Sequence, residues 1–170
     1  MVKSTNSIGA EGYQGDWAAN NCHGYGVLTY EDGKVYKGMW KDGFRHGHGT
    51  LTNTDGSEFS GEFRRGAIFN GSGVVVDHRI RQGAWEEGKM QGQGKIVYNN
   101  GNVYEGELTD SFRHGYGVMT HLTGEKYEGM WGMSKRHGKG KHTNADGSID
   151  EGEWKAGKLV VGSNNEDLAV

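Results

Sequence analysis

Proline is absent from the 170 residues, and cysteine occurs once, at Cys22. A single thiol closes no internal disulfide, and that scarcity suits a reducing compartment. Without proline, and without glycine at every third position, a collagen-type triple helix is excluded. Long apolar runs are missing too: the longest are Val74-Val75-Val76 and Leu159-Val160-Val161, far short of the ~20 residues of a membrane-spanning helix. The opening Met1-Val2-Lys3-Ser4-Thr5-Asn6 has no apolar core of a secretory signal, and Val2 does not fit the myristoylation pattern. The expected location is therefore cytoplasmic. A net charge of -3 argues against a nucleic-acid binder, which is usually strongly basic. Hydrophobic residues reach only 33%, too few for an ordinary thick core. Glycine, by contrast, supplies 32 residues, where ~7% is usual. Aromatic residues make up 11%, whereas disordered chains have few. A thin, ordered structure rich in rings and glycine satisfies both facts.

The rings and glycines are periodic. An aromatic-x-Gly-x-aromatic element begins at Tyr13, Tyr36, Phe59, Arg81, Tyr104, Tyr127 and Asp150, with steps of 23, 23, 22, 23, 23 and 23 residues. Its second large residue is Trp17, Trp40, Phe63, Trp85, Leu108, Trp131 and Trp154. A second element interleaves: His23-Gly24-Tyr25-Gly26 recurs as His46-Gly47-His48-Gly49, Asn70-Gly71-Ser72-Gly73, Gln91-Gly92-Gln93-Gly94, His114-Gly115-Tyr116-Gly117 and His137-Gly138-Lys139-Gly140. Asp32-Gly33, Asp55-Gly56, Asn100-Gly101 and Asp146-Gly147 read as hairpin turns, because they reach positive φ cheaply.

This unit resembles the MORN (membrane occupation and recognition nexus) repeat. Residues 13–157 fall inside the array as six repeats and a terminal half repeat, flanked by 1–12 and a tail at 158–170. The expected fold is all-β: an elongated, single-layer antiparallel meander of hairpin repeats with no substantial helix. In one unit the spacing predicts strands over Lys34–Trp40 and Gly47–Asn53, with Lys41-Asp42-Gly43-Phe44 turning between them. Strict alternation puts Tyr36, Gly38 and Trp40 on one face, and Gly24, Gly26, Leu28 and Tyr30 together on the neighbouring strand. The rings then cover spots left bare by glycine. Between Gly73 and Gly83 the pattern lapses, with no Asp-Gly turn and Arg81 in an aromatic place. A tighter hairpin near Asp77-His78 and a bend or gap in the aromatic column are expected there.

No catalytic or metal centre is expected. The repeated histidines stand two strands apart, ~9–10 Å, too far to share a zinc ion with ligands at ~2 Å. The Gly-x-Gly pairs do not open helices, so they do not read as phosphate loops. The chain is read as a non-enzyme without cofactor that scaffolds other proteins. A partner peptide or helix would dock in a groove lined by Tyr13, Trp17, Tyr36, Trp40, Phe59, Phe63, Trp85, Tyr104, Tyr127, Trp131 and Trp154. One edge of the ribbon should be basic and the opposite edge acidic. Arg45, Arg64, Arg65, Arg113, Lys135 and Arg136 form the basic rim, which would touch anionic phospholipid weakly at most. The resemblance implies a cytoskeletal, ciliary or membrane-proximal setting, and in some members homodimers through terminal repeats. A phospholipid-binding module and a regulatory or targeting subunit of an enzyme are the alternatives.

Overall fold

A computed structural model describes residues 12–162; the signal-peptide and myristoylation readings at 1–11, and the end of the tail, lie outside them. Fourteen strands follow one another: β1 Gly12–Ala18, β2 Asn21–Thr29, β3 Val35–Lys41, β4 Phe44–Thr52, β5 Glu58–Arg64, β6 Ala67–Val76, β7 Ile80–Glu86, β8 Lys89–Val97, β9 Val103–Thr109, β10 Phe112–Thr120, β11 Lys126–Gly132, β12 Lys135–Thr143, β13 Ile149–Lys155 and β14 Lys158–Gly162. They form one antiparallel sheet in chain order, the expected meander. The strand β14 pairs with β13, with Trp154 opposite Leu159, so the array continues past residue 157 into the expected tail. Close contacts divide the chain into two compact units. One holds the residues up to Asp77 with Gln82–Lys89, and the other holds His78–Arg81 with Met90 onward.

The Asp-Gly and Asn-Gly pairs lie in hairpin connections as expected, but the two-residue turns are at the other ends of the strands. Two-residue loops close the hairpins after each tryptophan position, as at Asp42-Gly43 (φ 52° and 84°), Asp110-Ser111 (53° and 67°) and Met133-Ser134 (48° and 63°). Two consecutive positive φ values give the turn whose twist matches that of the flanking strands. Accordingly β4 starts at Phe44, three residues before the predicted start. At Asp32-Gly33 only the glycine is left-handed, φ 85°. There Gly33 N–H donates to Tyr30 O at 2.9 Å, and Tyr30 N–H donates to Lys34 O at 2.8 Å. This is the longer, bulged connection, and it recurs at Asn53–Gly56, Tyr98–Gly101, His121–Gly124 and Asn144–Gly147.

The two glycines of His-Gly-x-Gly do different things. Gly38 stands opposite Gly49, yet Trp40 stands opposite Arg45, so two extra residues bulge from β4. Gly47 carries the bulge at φ 63°, a conformation that costs other L-residues ~1–2 kcal/mol. A Cβ on Gly47 would approach Met39 at 3.5 Å, whereas one on Gly49 would lie 2.5 Å from Tyr36 Cζ on the opposite face. Gly24 and Gly26 diverge in the same way, toward Asp16 and Tyr13. The single-face grouping expected from alternation is therefore wrong, because the bulge breaks the period.

Only the second glycine is a notch, and a ring fills it. The rings of Tyr13, Tyr36, Tyr104 and Tyr127 lie over Gly26, Gly49, Gly117 and Gly140. Each phenol donates to the carbonyl three residues on: Asp16 (2.9 Å), Met39 (3.1 Å), Glu107 (2.7 Å) and Met130 (3.1 Å). The indoles of Trp40, Trp131 and Trp154 donate to the notch carbonyls of Gly26, Gly117 and Gly140. In the first unit the rings meet edge to face in an unbroken chain, Trp17–Tyr13–Trp40–Tyr36–Phe63–Phe59–Trp85. In the second the chain is Tyr104–Trp131–Tyr127–Trp154–His142. Burying one such ring removes ~150–250 Å² from water, worth several kcal/mol at ~25 cal/mol per Å². That exceeds the ~1 kcal/mol a strand glycine costs.

The lapse after Gly73 is local. In β6 the register shifts by one residue, with Gly61 opposite Gly71 and Phe63 opposite Ile68. Asp77-His78-Arg79 alone joins β6 to β7, shorter than the 30–34 connection. Trp85 remains in the ring chain of its unit, packed on Phe59.

Gly49→Ala should destabilise the chain by ~1–3 kcal/mol, the usual cost of overpacking, read as a lower urea midpoint. His142 gives a second expectation. It is buried, its Nε2 has no partner, and it stands between Tyr127 and Asp150 where other repeats have Leu28, Leu51, Ile96 or Met119. Burial, helped by Arg136, lowers its pKa below the ordinary 6.5, against the pull of Glu125 and Asp150. The unfolded chain then takes up the proton first. His142 therefore leaves stability intact above pH 6.5 and erodes it as the pH falls from there toward the folded value. His142→Leu should flatten that acid-side decline in thermal melts recorded across this range.

Candidate functional site

The eleven aromatic residues expected to line a groove are placed in the core. Tyr36, Phe59, Phe63, Tyr104 and Tyr127 are 0% exposed, Tyr13 and the four tryptophans Trp40, Trp85, Trp131 and Trp154 are buried, and Trp17 is half-buried. Their faces pack on glycine backbone and on one another. Burial raises the phenols of Tyr13 and Tyr36 to about 12 and also pushes up those of Tyr104 and Tyr127.

Half of the expected lipid rim belongs to this core. The Arg45 guanidinium lies over Tyr36 (5.7 Å) and Phe63 (5.2 Å) and donates to Gly66 O at 2.5 Å. Arg113 lies 4.5 Å over Trp131 and donates to Ser134 O at 2.8 Å. Arg136 covers Tyr127 at 5.2 Å and Trp154 at 5.0 Å. These arginines stand opposite the large residue that ends the preceding strand, as Trp40–Arg45, Leu108–Arg113 and Trp131–Arg136. In other hairpins Cys22, Ile68 and Leu159 take the same place. At Cys22, Arg45, Arg113 and Arg136 this covering column was legible as the residue before a His-Gly-x-Gly element, and sequence reasoning missed its packing role. Burial pushes the Cys22 thiol up, which makes it a poor nucleophile at neutral pH. Arg64 is held by Glu62 at 3.0 Å and lies over Phe69. Arg65 and Lys135 remain exposed, but Asp42 and Asp110 occupy turns along the same edge. That edge is mixed in charge, not uniformly basic. Arg113→Met should cost ~1–2 kcal/mol in urea unfolding, for a lost charged hydrogen bond and cation–π contact. It should leave sedimentation with phosphatidylserine vesicles unchanged.

The opposite face carries the free surface. Tyr25 (58% exposed) stands across from Met39 (43%), and Tyr116 (54%) across from Met130 (41%). Beside the first pair is an open depression of about 550 Å³, lined by Tyr25, Lys37, His48, Thr50, Glu58 and Ser60 among others. Gly38, Gly49 and Gly61 also line it and put no side chain into it. Thr50 and Ser60 share a hydrogen bond of 2.9 Å, and Thr52 donates to Glu58 at 2.9 Å. None of these residues was expected in a binding site from the sequence. They occupy the variable positions of the repeat, which the core does not constrain. The depression offers the Lys37 cation, the Glu58 carboxylate, hydroxyls and the Tyr25 ring, a mixture that suits binding. Among the described residues, no three His, Cys, Asp or Glu gather as a metal site would require.

Fold and surface together define a tandem-repeat sheet protein whose core lies in the repeat and whose variable positions face outward. The MORN repeat model matches residues 13–35, 36–58, 82–103, 104–124, 127–149 and 151–161, and the chain belongs to the MORN-repeat family. The match omits 59–81, the repeat whose register differs. A search of curated proteins found no match.

Proposed function

We propose that the chain is a non-catalytic interaction scaffold that docks a protein partner on the face opposite its aromatic core. One observation carries this reading. The Tyr25–Met39 and Tyr116–Met130 pairs recur at the same repeat position in the two units and stay exposed, while the column rings are buried. Tyrosine and methionine are enriched at protein interfaces, and methionine adapts to an irregular partner surface. The family supports a membrane-proximal or cytoskeletal assembly as the setting. The test is affinity capture from cells with the wild-type chain and with a Tyr116→Ser, Met130→Ser double variant. The variant should melt within ~2 °C of wild type, since exposed substitutions change stability by under ~0.5 kcal/mol each, yet lose captured protein. Equal recovery by both would count against the reading.

A further inference from the structure

In two hairpins the bulge presents a backbone amide to a carboxylate on the face away from the core. In β2 that amide, Tyr25 N–H, donates to Oδ2 of Asp16 at 3.3 Å. In β10 its equivalent, Tyr116 N–H, donates to Oε1 of Glu107 at 3.3 Å. Both acids occupy one position in the repeat, between the strand glycine and the large residue that follows: Gly15-Asp16-Trp17 and Gly106-Glu107-Leu108. The protein thus shows twice that a carboxylate fits against this bulge. In β3 and β11 the position is Met39 and Met130, whose thioethers are weak acceptors. The equivalent amides, of His48 and Lys139, receive no carboxylate from the described chain.

His48 itself lines the depression that Lys37 also lines. Lys37 is exposed. The acids nearby are already engaged, Glu58 by Thr52 at 2.9 Å and Glu62 by Arg64 at 3.0 Å. In the second unit Glu128 takes the place of Lys37 and pairs with Lys126 at 3.0 Å, so among the described residues a lysine at this repeat position accompanies a methionine bulge in the first unit.

We propose that this depression binds an acidic segment of a protein partner. An Asp or Glu carboxylate of the partner takes the place at the bulge that Asp16 and Glu107 fill in their own hairpins. It accepts from His48 N–H and pairs with the Lys37 ammonium, while a neighbouring apolar side chain rests on Tyr25 and Met39. The proposal rests on the scaffold reading and narrows it to one site and one sign of charge.

The immobilised full chain is panned against a random-peptide phage library, and the enriched peptides are synthesised and titrated by fluorescence anisotropy. Peptides with Asp or Glu next to an apolar residue should be enriched. Their affinity should fall roughly ten-fold or more with Lys37→Glu, as loss of one charge-assisted contact implies, and survive Lys37→Arg. Met39→Glu should weaken them similarly, because a carboxylate of the chain itself then reaches the His48 amide. Changing the peptide's acid to its amide should do the same. All three chain variants alter exposed positions, and circular dichroism checks their fold. No enrichment, enrichment of basic or uncharged peptides, or unchanged affinity in both variants would overturn the proposal. Uncharged peptides whose binding is lost with Tyr116→Ser and Met130→Ser would overturn it while leaving the scaffold reading in place.

Discussion

A tyrosine ring laid over a glycine on the adjacent strand is the contact on which this sheet depends. A single layer has no second sheet or helix to cover its apolar face. Here the cover comes from within the layer. Gly49 lets Tyr36 lie flat against backbone, Trp40 meets that ring edge-on at 5.2 Å, and Arg45 spreads its guanidinium over both Tyr36 and the next repeat's Phe63. Each hairpin thereby covers part of its neighbour. The turn amides reinforce the link, as Gly43 N–H donates to Cys22 O at 3.0 Å and Gly66 N–H to Arg45 O at 2.9 Å. Stability in such an array is a sum of units and nearest-neighbour interfaces.

The bulge connects this core to the outer face. It shifts the register between Gly38 and Trp40, and Tyr36 donates to the Met39 carbonyl at that point. On the other side of the same bulge an amide faces outward, capped by Asp16 or Glu107 in some hairpins and uncapped where methionine stands. One backbone irregularity therefore orients the buried ring and turns an amide toward the outer face. The ring depends on residues that must recur, while the outward contact depends on residues free to vary.

That division explains what could be read from sequence. The 23-residue period, the meander and the covering of bare glycines by rings all follow from residues that recur, so they were legible. Two things were not. Alternation alone could not show that Gly47 is left-handed, since a bulge is a property of two paired strands; the faces of Gly24 and Gly26 were misassigned for this reason. Nor could spacing tell a ring that lines a groove from one that fills the core. Tyr36 and Trp40 looked like a docking surface because the covering role of Arg45 was hidden behind its charge. The depression at Tyr25, Lys37 and His48 went unseen because its residues occupy positions of the repeat whose identity varies from unit to unit.

The central claim is that the ring and the bare backbone form one energetic unit, and a double-mutant cycle on Gly49→Ala and Tyr36→Leu measures it most directly. If the added methyl is costly because it meets the Tyr36 ring, its cost should largely vanish once that ring is gone, a coupling of ~1 kcal/mol or more by urea unfolding. Costs that simply add, within ~0.5 kcal/mol, would contradict the account.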